Sequence, residues 1–440
     1  MTKLFDLKFF FLTLAYFLLF STYSLPLAFF PLLAKERGLS TLMIGVVFSF
    51  LPFGGLISSL VFGKYMSVVG KKILFVLLNF FVTASIFGFG SLSNVTTNTA
   101  FLGLAIACRI LQGIAIGGLA SIIYGYIPTF YPDTVQQRMI IMEFFLGISV
   151  TVSVNIGQLL YKAGGYPVPF YVIGTITFCT LFMITFFLPS DASEAKRLGL
   201  KNKGKTFTIG YGKFLKSFKF MVMFFGIIGN VSSKTFVSTN LALHLQSFEG
   251  GNGFLGISFL LLTSSFAIAN LFFMKIPAYV DRRIFMVTGL IVEAMSLMFV
   301  GPEESFGLKK NLATLGIGLA MLGFSSNFFF LPALPEMVEA GNDLFNIEQE
   351  NLINDMVSGF FTAANLSAEV IGPLFAFLAE YVGVRIGCLI FACYLIFVLI
   401  LFLTLGKAYY VFKKHSPSHK GLITKKQQVE TNKKEIEMIC

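Results

Sequence analysis

The sequence predicts an all-α integral membrane protein with twelve spanning helices. Hydrophobic residues make up 56% of the 440 residues and charged residues only 12%, which is too apolar for a soluble domain that keeps charge on its surface. Twelve apolar segments are long enough to cross a hydrocarbon core of about 30 Å. These segments are Phe9–Leu33, Leu42–Phe62, Ile73–Leu92, Ala100–Tyr124, Met139–Tyr161, Phe170–Leu188, Phe220–Leu243, Phe254–Ile276, Ile284–Val300, Leu312–Leu331, Met356–Ala379 and Ile386–Phe412.

The distribution of basic residues predicts how the chain is oriented in the membrane. Most of the 33 lysines and arginines fall near the two termini and in alternate loops, and short cytoplasmic segments are typically enriched in these residues. We therefore expect both termini in the cytoplasm, which agrees with an even number of helices. Residues 191–218 are polar and rich in Lys and Gly, which predicts a basic cytoplasmic linker. The linker divides two six-helix halves, 1–190 and 219–412, and the charged stretch 413–440 predicts a disordered tail.

Two loops repeat a short pattern of glycine and charge at corresponding places in the two halves. Gly63 opens the loop after the second predicted helix, and Gly70 follows it. Asp281 and Arg282 lie in the loop after the eighth predicted helix. We interpret these four residues as positions in conformational loops that join neighbouring helices.

The segment from Glu336 to Asp355 contains six acidic residues and no basic residue. A charge run of this kind is typical of a solvated face. The alternative is a gate in which the acidic segment is latched to basic loops. The sequence leaves both interpretations open.

Arg109 and Gln112 predict a polar network on one face of the fourth helix. An arginine at mid-bilayer depth costs about 2.5 to 3.5 kcal/mol on insertion scales, so Arg109 is expected to find partners inside the bundle. Gln112 lies three residues further on, on nearly the same helix face, and Gly113 and Gly117 allow another backbone to approach closely. Glu143 in the fifth helix has two interpretations, a proton-coupling carboxyl group or a structural partner of Arg109.

Lys234 and Glu369 place opposite charges near the middle of the seventh and eleventh helices. Their matching depths predict an ion pair, since pairing lowers the cost of both charges. Opening of the pair by protonation or by substrate would link proton movement to transport, and a static structural pair is the alternative. Glu293 in the ninth helix is expected to be peripheral.

Three further polar residues are candidates to line a central cavity. Tyr23 stands in a Ser- and Thr-rich stretch before Pro26, and Asn327 and Asn365 lie in the tenth and eleventh helices. Polar clusters beside a proline indicate either a broken helix that lines a cavity or hydrogen bonds between helices. Asn94 begins an Asn-x-Ser/Thr sequon on the non-cytoplasmic side and is the candidate glycosylation site.

Short strings of residues follow one another in a characteristic order between residues 29 and 383. They are Phe29-Phe30-Pro31, Leu60-Val61-Phe62-Gly63-Lys64-Tyr65, Arg109-x-x-Gln112-Gly113, Tyr131-Pro132-Asp133, Glu143, Gly147, Leu160-Tyr161, Gly164-Gly165-Tyr166, Pro169-Phe170, Leu331-Pro332-x-x-Pro335-Glu336, Val357-Ser358-Gly359 and Gly372-Pro373. In this serial order they resemble the major facilitator superfamily and, within it, the vesicular amine transporter family, closest to the polyamine-transporting branch.

The resemblance implies the major facilitator fold, in which two six-helix halves rock about a central cavity. It also implies proton-coupled antiport of a small organic cation, a polyamine or monoamine, into an acidic vesicle. The chain departs from the family pattern at Ser67-Val68, Ser153-Val154 and Val237-Ser238. Two other functions therefore stay open: a carrier of an organic anion or zwitterion with Lys234 as its charge partner, and a transporter-like sensor that no longer transports.

Other classes of function are not indicated. The sequence shows no Ser-His-Asp constellation, phosphate-binding loop or metal motif, so we expect neither an enzyme nor a metal site. The basic residues are explained by membrane topology, so no nucleic-acid binding is expected. We expect no cofactor other than a proton gradient, and as partners a small-molecule substrate, protons and the lipid bilayer. A monomer is expected, in a vesicle, another endomembrane or the plasma membrane.

Overall fold

The computed structural model describes residues 6–187, 210–248, 254–274, 281–301, 310–345 and 350–404. These residues form long helices joined by short connections, together with a short helix over Gly212–Lys216. The long helices are α1 (Leu7–Glu36), α2 (Thr41–Val69), α3 (Lys71–Ser91), α4 (Asn98–Phe130), α5 (Val135–Gly164), α6 (Pro167–Phe187), α7 (Phe218–Leu245), α8 (Leu255–Met274), α9 (Arg282–Val300), α10 (Leu312–Asn342), α11 (Glu350–Val382) and α12 (Val384–Thr404).

Each long helix overlaps one predicted apolar segment, which confirms the all-α membrane fold. Among the described residues, ten helices are long and apolar enough to cross a membrane. The other two, α6 and α11, cover the predicted sixth and eleventh spans. The predicted tail 413–440 and most of the predicted linker 191–218 lie outside the described residues.

Polar side chains begin several helices by accepting hydrogen bonds from otherwise unpaired backbone amides. The Asp6 carboxylate accepts from the Phe9 amide at 2.8 Å, at the start of α1. The Asn311 side chain accepts from the Thr314 amide at 2.7 Å, at the start of α10. These caps stabilise the first turns of α1 and α10.

Glycines bring α2 and α4 into backbone contact. A Cβ atom at Gly113 would collide with the Leu51 carbonyl oxygen, and one at Gly117 would collide with the Gly55 carbonyl oxygen. The prediction that the glycines after Arg109 permit close helix packing is therefore confirmed. The close contact holds the polar face of α4 against the middle of the bundle.

The helices pack in two sets that meet along a few inner helices. In the first set α2 packs on α4, α1 on α5 and α3 on α6; in the second, α9 packs on α10 and α12, and α8 on α10. Between the sets, α11 packs on α2 and α4, and α5 packs on α8 and α10. Most of the buried polar residues described below lie on the inner helices α1, α4, α5, α7 and α11, while Glu293 lies on α9, Glu336 on α10 and Lys71 on α3.

Many of the helices extend beyond their predicted ends, and at three of them this corrects a loop assignment. Gly63 lies inside α2, Glu336 inside α10 and Asp355 inside α11, not in loops. The 29 residues of α2 span about 43 Å at 1.5 Å per residue, which is longer than a hydrocarbon core of about 30 Å. Apolar length therefore underestimates these helices, because their ends project past the bilayer core.

The other predicted loop positions lie at helix junctions. Gly70 joins α2 to α3 with a φ of +100°, a conformation that a residue without a Cβ atom adopts at no steric cost. Asp281 precedes α9 and its carboxylate accepts from the Arg283 amide at 2.9 Å. Arg282 is the first residue of α9.

Candidate transport site

Glu143 on α5 is held by two tyrosine hydroxyl groups from other helices. Tyr16 on α1 and Tyr124 on α4 each donate to Glu143 Oε1 at 2.9 Å. The two hydroxyl oxygens are themselves 2.6 Å apart. All three side chains are buried, so the carboxyl group lies in an apolar interior with hydroxyl groups as its polar contacts.

A cavity lies next to this cluster, between α1, α2, α4 and α11. Its volume for water-sized molecules is about 20 Å³, which is room for one or two waters, so the cavity is narrow in this conformation. Its walls are mostly aromatic and aliphatic, and Glu369 supplies the charged group. The lining residues are Phe20, Tyr23, Leu51, Ile116, Ala120, Tyr124, Thr362, Asn365, Leu366 and Glu369.

Tyrosines connect the cavity to both carboxyl groups. Tyr23 donates to Glu369 Oε2 at 3.5 Å, and both residues line the cavity. Tyr124 lines the same cavity while its hydroxyl group donates to Glu143. The cavity therefore contacts Glu369 directly and Glu143 through one hydroxyl group.

Lys234 on α7 lies within electrostatic reach of three glutamates but not in a direct ion pair. Its ammonium group interacts electrostatically with Glu143, Glu293 and Glu369 and lies 4.6 Å from the Phe266 ring centroid. Among the described residues, no carboxylate oxygen comes within 4.0 Å of Lys234. The predicted Lys234–Glu369 ion pair is therefore wrong, since the amine faces an aromatic ring instead.

Arg109 and Gln112 interact as predicted, but Glu143 is not their partner. Arg109 Nη1 donates to Gln112 Oε1 at 2.8 Å, and Gln112 Nε2 donates to the Thr22 carbonyl oxygen at 3.0 Å. The guanidinium carbon of Arg109 lies 4.7 Å from the Phe48 ring centroid and 5.1 Å from that of Phe89. The alternative in which Glu143 pairs with Arg109 is wrong, because the Glu143 carboxyl group accepts hydrogen bonds from Tyr16 and Tyr124 instead.

Glu293 is a buried part of the second set of helices, although the sequence suggested a peripheral position. Asn230 Nδ2 donates to Glu293 Oε2 at 2.5 Å, and Ser233 Oγ donates to Oε1 at 2.6 Å. Asn230 also donates to the Ser326 carbonyl oxygen at 3.1 Å. The signal that could have found this cluster is the run of polar residues beside Lys234 on α7.

The remaining polar candidates make contacts between helices. The Ser24 and Ser153 hydroxyl oxygens are 2.5 Å apart, between α1 and α5. Asn327 donates to the Phe266 carbonyl oxygen at 3.0 Å, away from the cavity that Asn365 lines. Because α1 is continuous through Pro26, the broken-helix interpretation is wrong and the hydrogen-bonding one is supported. Asn94 is exposed, at the end of a 3-10 turn.

The described part of the acidic segment is partly buried and partly exposed to solvent. Glu336 is 2% exposed and lies 3.1 Å from Nη2 of Arg282 and 3.1 Å from Nε of Arg283. Glu339 continues this network, at 2.8 Å from Arg282 and 3.1 Å from Arg283. The latched interpretation is therefore supported for Glu336, whereas the side chains of Glu339 and Asp343 are 43% and 66% exposed, so these two residues also fit the solvated-face interpretation.

A second latch joins the two sets of helices. Lys71 Nζ at the start of α3 lies 2.5 Å from Asp355 Oδ1 on α11, and both side chains are almost fully buried. One helical turn along, a Cβ atom at Gly63 would lie 2.8 Å from Gly359 Cα. The Tyr211 hydroxyl group, in the described end of the linker, donates to the Leu60 carbonyl oxygen on α2. We call four residues the α2–α11 latch: Gly63 on α2, Lys71 at the adjoining start of α3, and Asp355 and Gly359 on α11.

Removal of one partner of the Lys71–Asp355 pair is expected to lower stability by about 3 to 5 kcal/mol, because a buried charge loses its counter-charge. We expect this loss in Asp355→Asn and, separately, in Lys71→Met. The double variant is expected to lose less than the sum of the two, which a double-mutant cycle on thermal unfolding in detergent measures. Losses that simply add would contradict a direct energetic link between the two side chains.

Comparison with known proteins places this geometry in a family. The model of the Major Facilitator Superfamily matches residues 12–343. The MFS-type transporter SLC18B1 of Mus musculus is 29% identical over 368 residues, which cover 82% of this chain and 78% of the relative. The SLC18B1 of Homo sapiens is 27% identical over 368 residues, which cover 82% and 77%.

Solved structures share the fold at low sequence identity. The human organic anion transporter MFSD10 (TETRAN) has a TM-score of 0.66 at 16% identity, over 90% of this chain and 100% of that chain. FucP in the outward conformation has a TM-score of 0.68 at 13% identity, over 90% and 98%. The relatives and structural neighbours are transporters rather than enzymes, and the resemblance indicated by the order of short strings is confirmed. This chain belongs to the major facilitator superfamily and is a multi-pass membrane transporter.

Proposed function

We propose that this chain is a proton-driven antiporter of a small organic cation, such as a polyamine or monoamine. The observation that supports it best is the cavity in which Glu369 lies among the aromatic rings of Phe20, Tyr23 and Tyr124. A carboxylate attracts an ammonium group, and aromatic faces attract it further by cation–π interaction. Intramembrane carboxyl groups are costly and typically mark substrate or proton pathways.

Competition for the same carboxyl groups explains antiport. An organic cation binds best when the carboxyl groups are ionised, whereas a proton neutralises them and releases the cation. The Tyr124 hydroxyl group joins Glu143 to the cavity, so protonation of Glu143 acts on the same space that the substrate occupies. The proton therefore leaves the carboxyl group when the cation enters and returns when the cation departs.

Rocking of the two halves, 1–190 and 219–412, exposes the cavity to each side in turn. The α2–α11 latch closes the cavity at the end where α2 joins α3, the end that the basic residues assign to the cytoplasm. In this proposal the monomer works in a vesicle membrane, with both termini in the cytoplasm and an acidic lumen as the proton source.

A carrier of an organic anion or zwitterion is the second candidate. It is favoured by Lys234, whose ammonium group has no ion-pair partner within 4.0 Å among the described residues. Three glutamates act on the same amine, so carboxyl groups outnumber amino groups around it. This excess of carboxyl groups favours the cation.

Uptake into liposomes tests the proposal. Purified protein is reconstituted into liposomes with an acidic interior, and accumulation of radiolabelled spermidine and of a monoamine is followed before and after an ionophore collapses the pH gradient. Accumulation that requires the gradient supports proton-driven antiport. If folded protein accumulates neither cation under any gradient, the proposal is wrong.

Lys234→Gln separates the two candidates. For a cation substrate, removal of the positive charge makes the cavity more negative, so uptake persists and the KM falls on the order of tenfold. For an anion substrate, the same change removes the counter-charge and abolishes uptake. The measurement is initial uptake rate against concentration for spermidine and for a panel of organic anions. Loss of cation uptake in the folded variant would contradict the expectation that a cation carrier transports without the Lys234 charge.

A further inference from the structure

Arg109 carries a buried charge whose hydrogen-bonding capacity is only partly used. Its side chain is 1% exposed, and Nη1 donates to Gln112 Oε1 at 2.8 Å. The other donor atoms, Nε and Nη2, have no hydrogen-bond partner among the described residues. Buried donors are normally paired, and an unpaired charged donor costs more than a neutral one.

No carboxylate balances this charge in the part of the chain that the structure describes. The ionisable groups that interact electrostatically with Arg109 are Tyr23, Tyr166 and Cys108, and all three side-chain types are neutral near pH 7 when unperturbed. Arg109 also forms no salt bridge among these residues. The guanidinium group therefore lacks a negative counter-charge from the protein.

Tyr166 brings a second unused donor to the same region. Its side chain is 6% exposed, and its hydroxyl oxygen has no hydrogen-bond partner among the described residues. It follows the turn at Gly165 that joins α5 to α6, and its ring packs on Phe170 with centroids 4.9 Å apart. Two buried side chains in electrostatic contact thus offer unused donors, and the tyrosine hydroxyl oxygen can also accept a hydrogen bond.

The surroundings limit the size of what these donors can bind. Phe48 and Phe89 lie against the guanidinium group and Arg109 is 1% exposed, so its close surroundings are aromatic and leave room only for a small occupant. A single positive charge without a counter-charge is balanced by one monovalent anion. We propose that Arg109 and Tyr166 form a buried site for a small monovalent anion, with chloride as its occupant. This inference does not depend on the substrate or the proton coupling proposed above.

Arg37 provides an internal comparison. Its guanidinium carbon lies 4.6 Å from the Phe101 ring centroid, as Arg109 lies against phenylalanine rings. Arg37, however, donates to the carbonyl oxygens of Val95 at 2.5 Å and Ser93 at 3.0 Å. An arginine on an aromatic ring thus occurs in this chain with its donors satisfied by backbone. Arg37 also acts electrostatically on Tyr166, so Arg37→Gln is the control that separates loss of a nearby positive charge from loss of the unpaired Arg109 donors.

Chloride-dependent stability of the purified full chain tests the site. Melting of the helical circular dichroism signal is measured in detergent at constant ionic strength while sodium chloride replaces sodium gluconate. We expect the melting temperature to rise with chloride and to saturate, since a ligand that binds only the folded state stabilises it by mass action. Arg37→Gln is expected to melt lower in both salts and to keep the chloride-dependent rise.

The variants locate the effect. Arg109→Gln is expected to abolish the rise, and Tyr166→Phe, which removes one donor and keeps the charge, to raise the half-saturating chloride concentration about tenfold. If Arg109→Gln does not fold, Tyr166→Phe decides alone. Equal melting temperatures in the two salts would mean that water, rather than chloride, accepts hydrogen bonds from these donors. An unchanged half-saturating chloride concentration in Tyr166→Phe would mean that the anion binds elsewhere. Either result overturns the proposal.

Discussion

Replacement of Glu143 by glutamine is expected to abolish gradient-driven accumulation of substrate, with a loss of at least about 100-fold, within the range that general acid–base groups contribute. Glutamine has the same shape as glutamate and keeps one oxygen that can accept from Tyr16 and Tyr124, whose hydroxyl groups both contact Oε1. It cannot bind or release a proton. The variant should therefore fold and bind substrate but fail to couple transport to the proton gradient.

Two assays on the same liposomes separate coupling from binding. Exchange of internal for external substrate needs no net proton movement, so Glu143→Gln should retain exchange while it loses accumulation. Glu339→Gln is the control, because Glu339 is a half-exposed carboxylate that lies away from the cavity and pairs with Arg282 and Arg283; it should retain both activities. Full accumulation by Glu143→Gln would assign proton coupling to another group, with Glu369 and Glu293 as the next residues to test.

Replacement of Gly63 by valine is expected to open the α2–α11 latch and stop transport. A Cβ atom at Gly63 would lie 2.8 Å from Gly359 Cα and 3.3 Å from the Asp355 carbonyl oxygen. Both are backbone atoms and cannot rotate away, so α2 and α11 must separate. Separation also pulls Lys71 from Asp355, which removes the ion pair that closes this end of the bundle.

Thiol labelling measures this opening. Ser358 is fully buried on α11 beside the latch, so a cysteine placed there in a cysteine-free background reports separation of the helices. We expect Gly63→Val to increase the labelling rate more than about tenfold and to abolish uptake. Gly45→Val is the control, because it makes the same change on α2 where a Cβ atom meets nothing within 4 Å. Equal labelling rates in the two variants would show that the latch tolerates a side chain at Gly63.

Local patterns predicted contacts only between residues close together in the chain. Arg109 meets Gln112 as expected, because a spacing of three residues places both on one helix face. Gly113 and Gly117 indicated that another backbone would approach closely, since small residues leave room for it, but the sequence did not show that α2 supplies that backbone. The partner of Glu143 did not follow: Tyr16 lies 127 residues away, and tyrosines are too frequent in this chain to single one out.

Length and charge rules failed at the helix ends. Apolar length placed Gly63 and Glu336 in loops, whereas the helices continue as amphipathic ends beyond the apolar core. The acidic run then resembled a solvated face, because the sequence alone does not show that Arg282 and Arg283 fold back onto Glu336 and Glu339. The sequence also did not show that Glu293 is hydrogen-bonded inside the bundle, because its donors Asn230 and Ser233 lie on a different helix, α7.

The sequence by itself determined that the chain is a bundle of membrane helices, because a hydrocarbon environment requires long apolar segments whose backbone hydrogen bonds are satisfied within each helix. It also identified Arg109, Glu143, Lys234 and Glu369 as charged residues inside the bundle, whereas Glu336 and Asp355, which were expected in a loop, are buried in the structure. Only the tertiary structure decided which of them meet: the tyrosines on Glu143, the aromatic ring at Lys234, and the ion pair of Lys71 with Asp355. Electrostatic and hydrogen-bonding energies depend on distances of a few ångströms between separate helices, and those distances follow from packing.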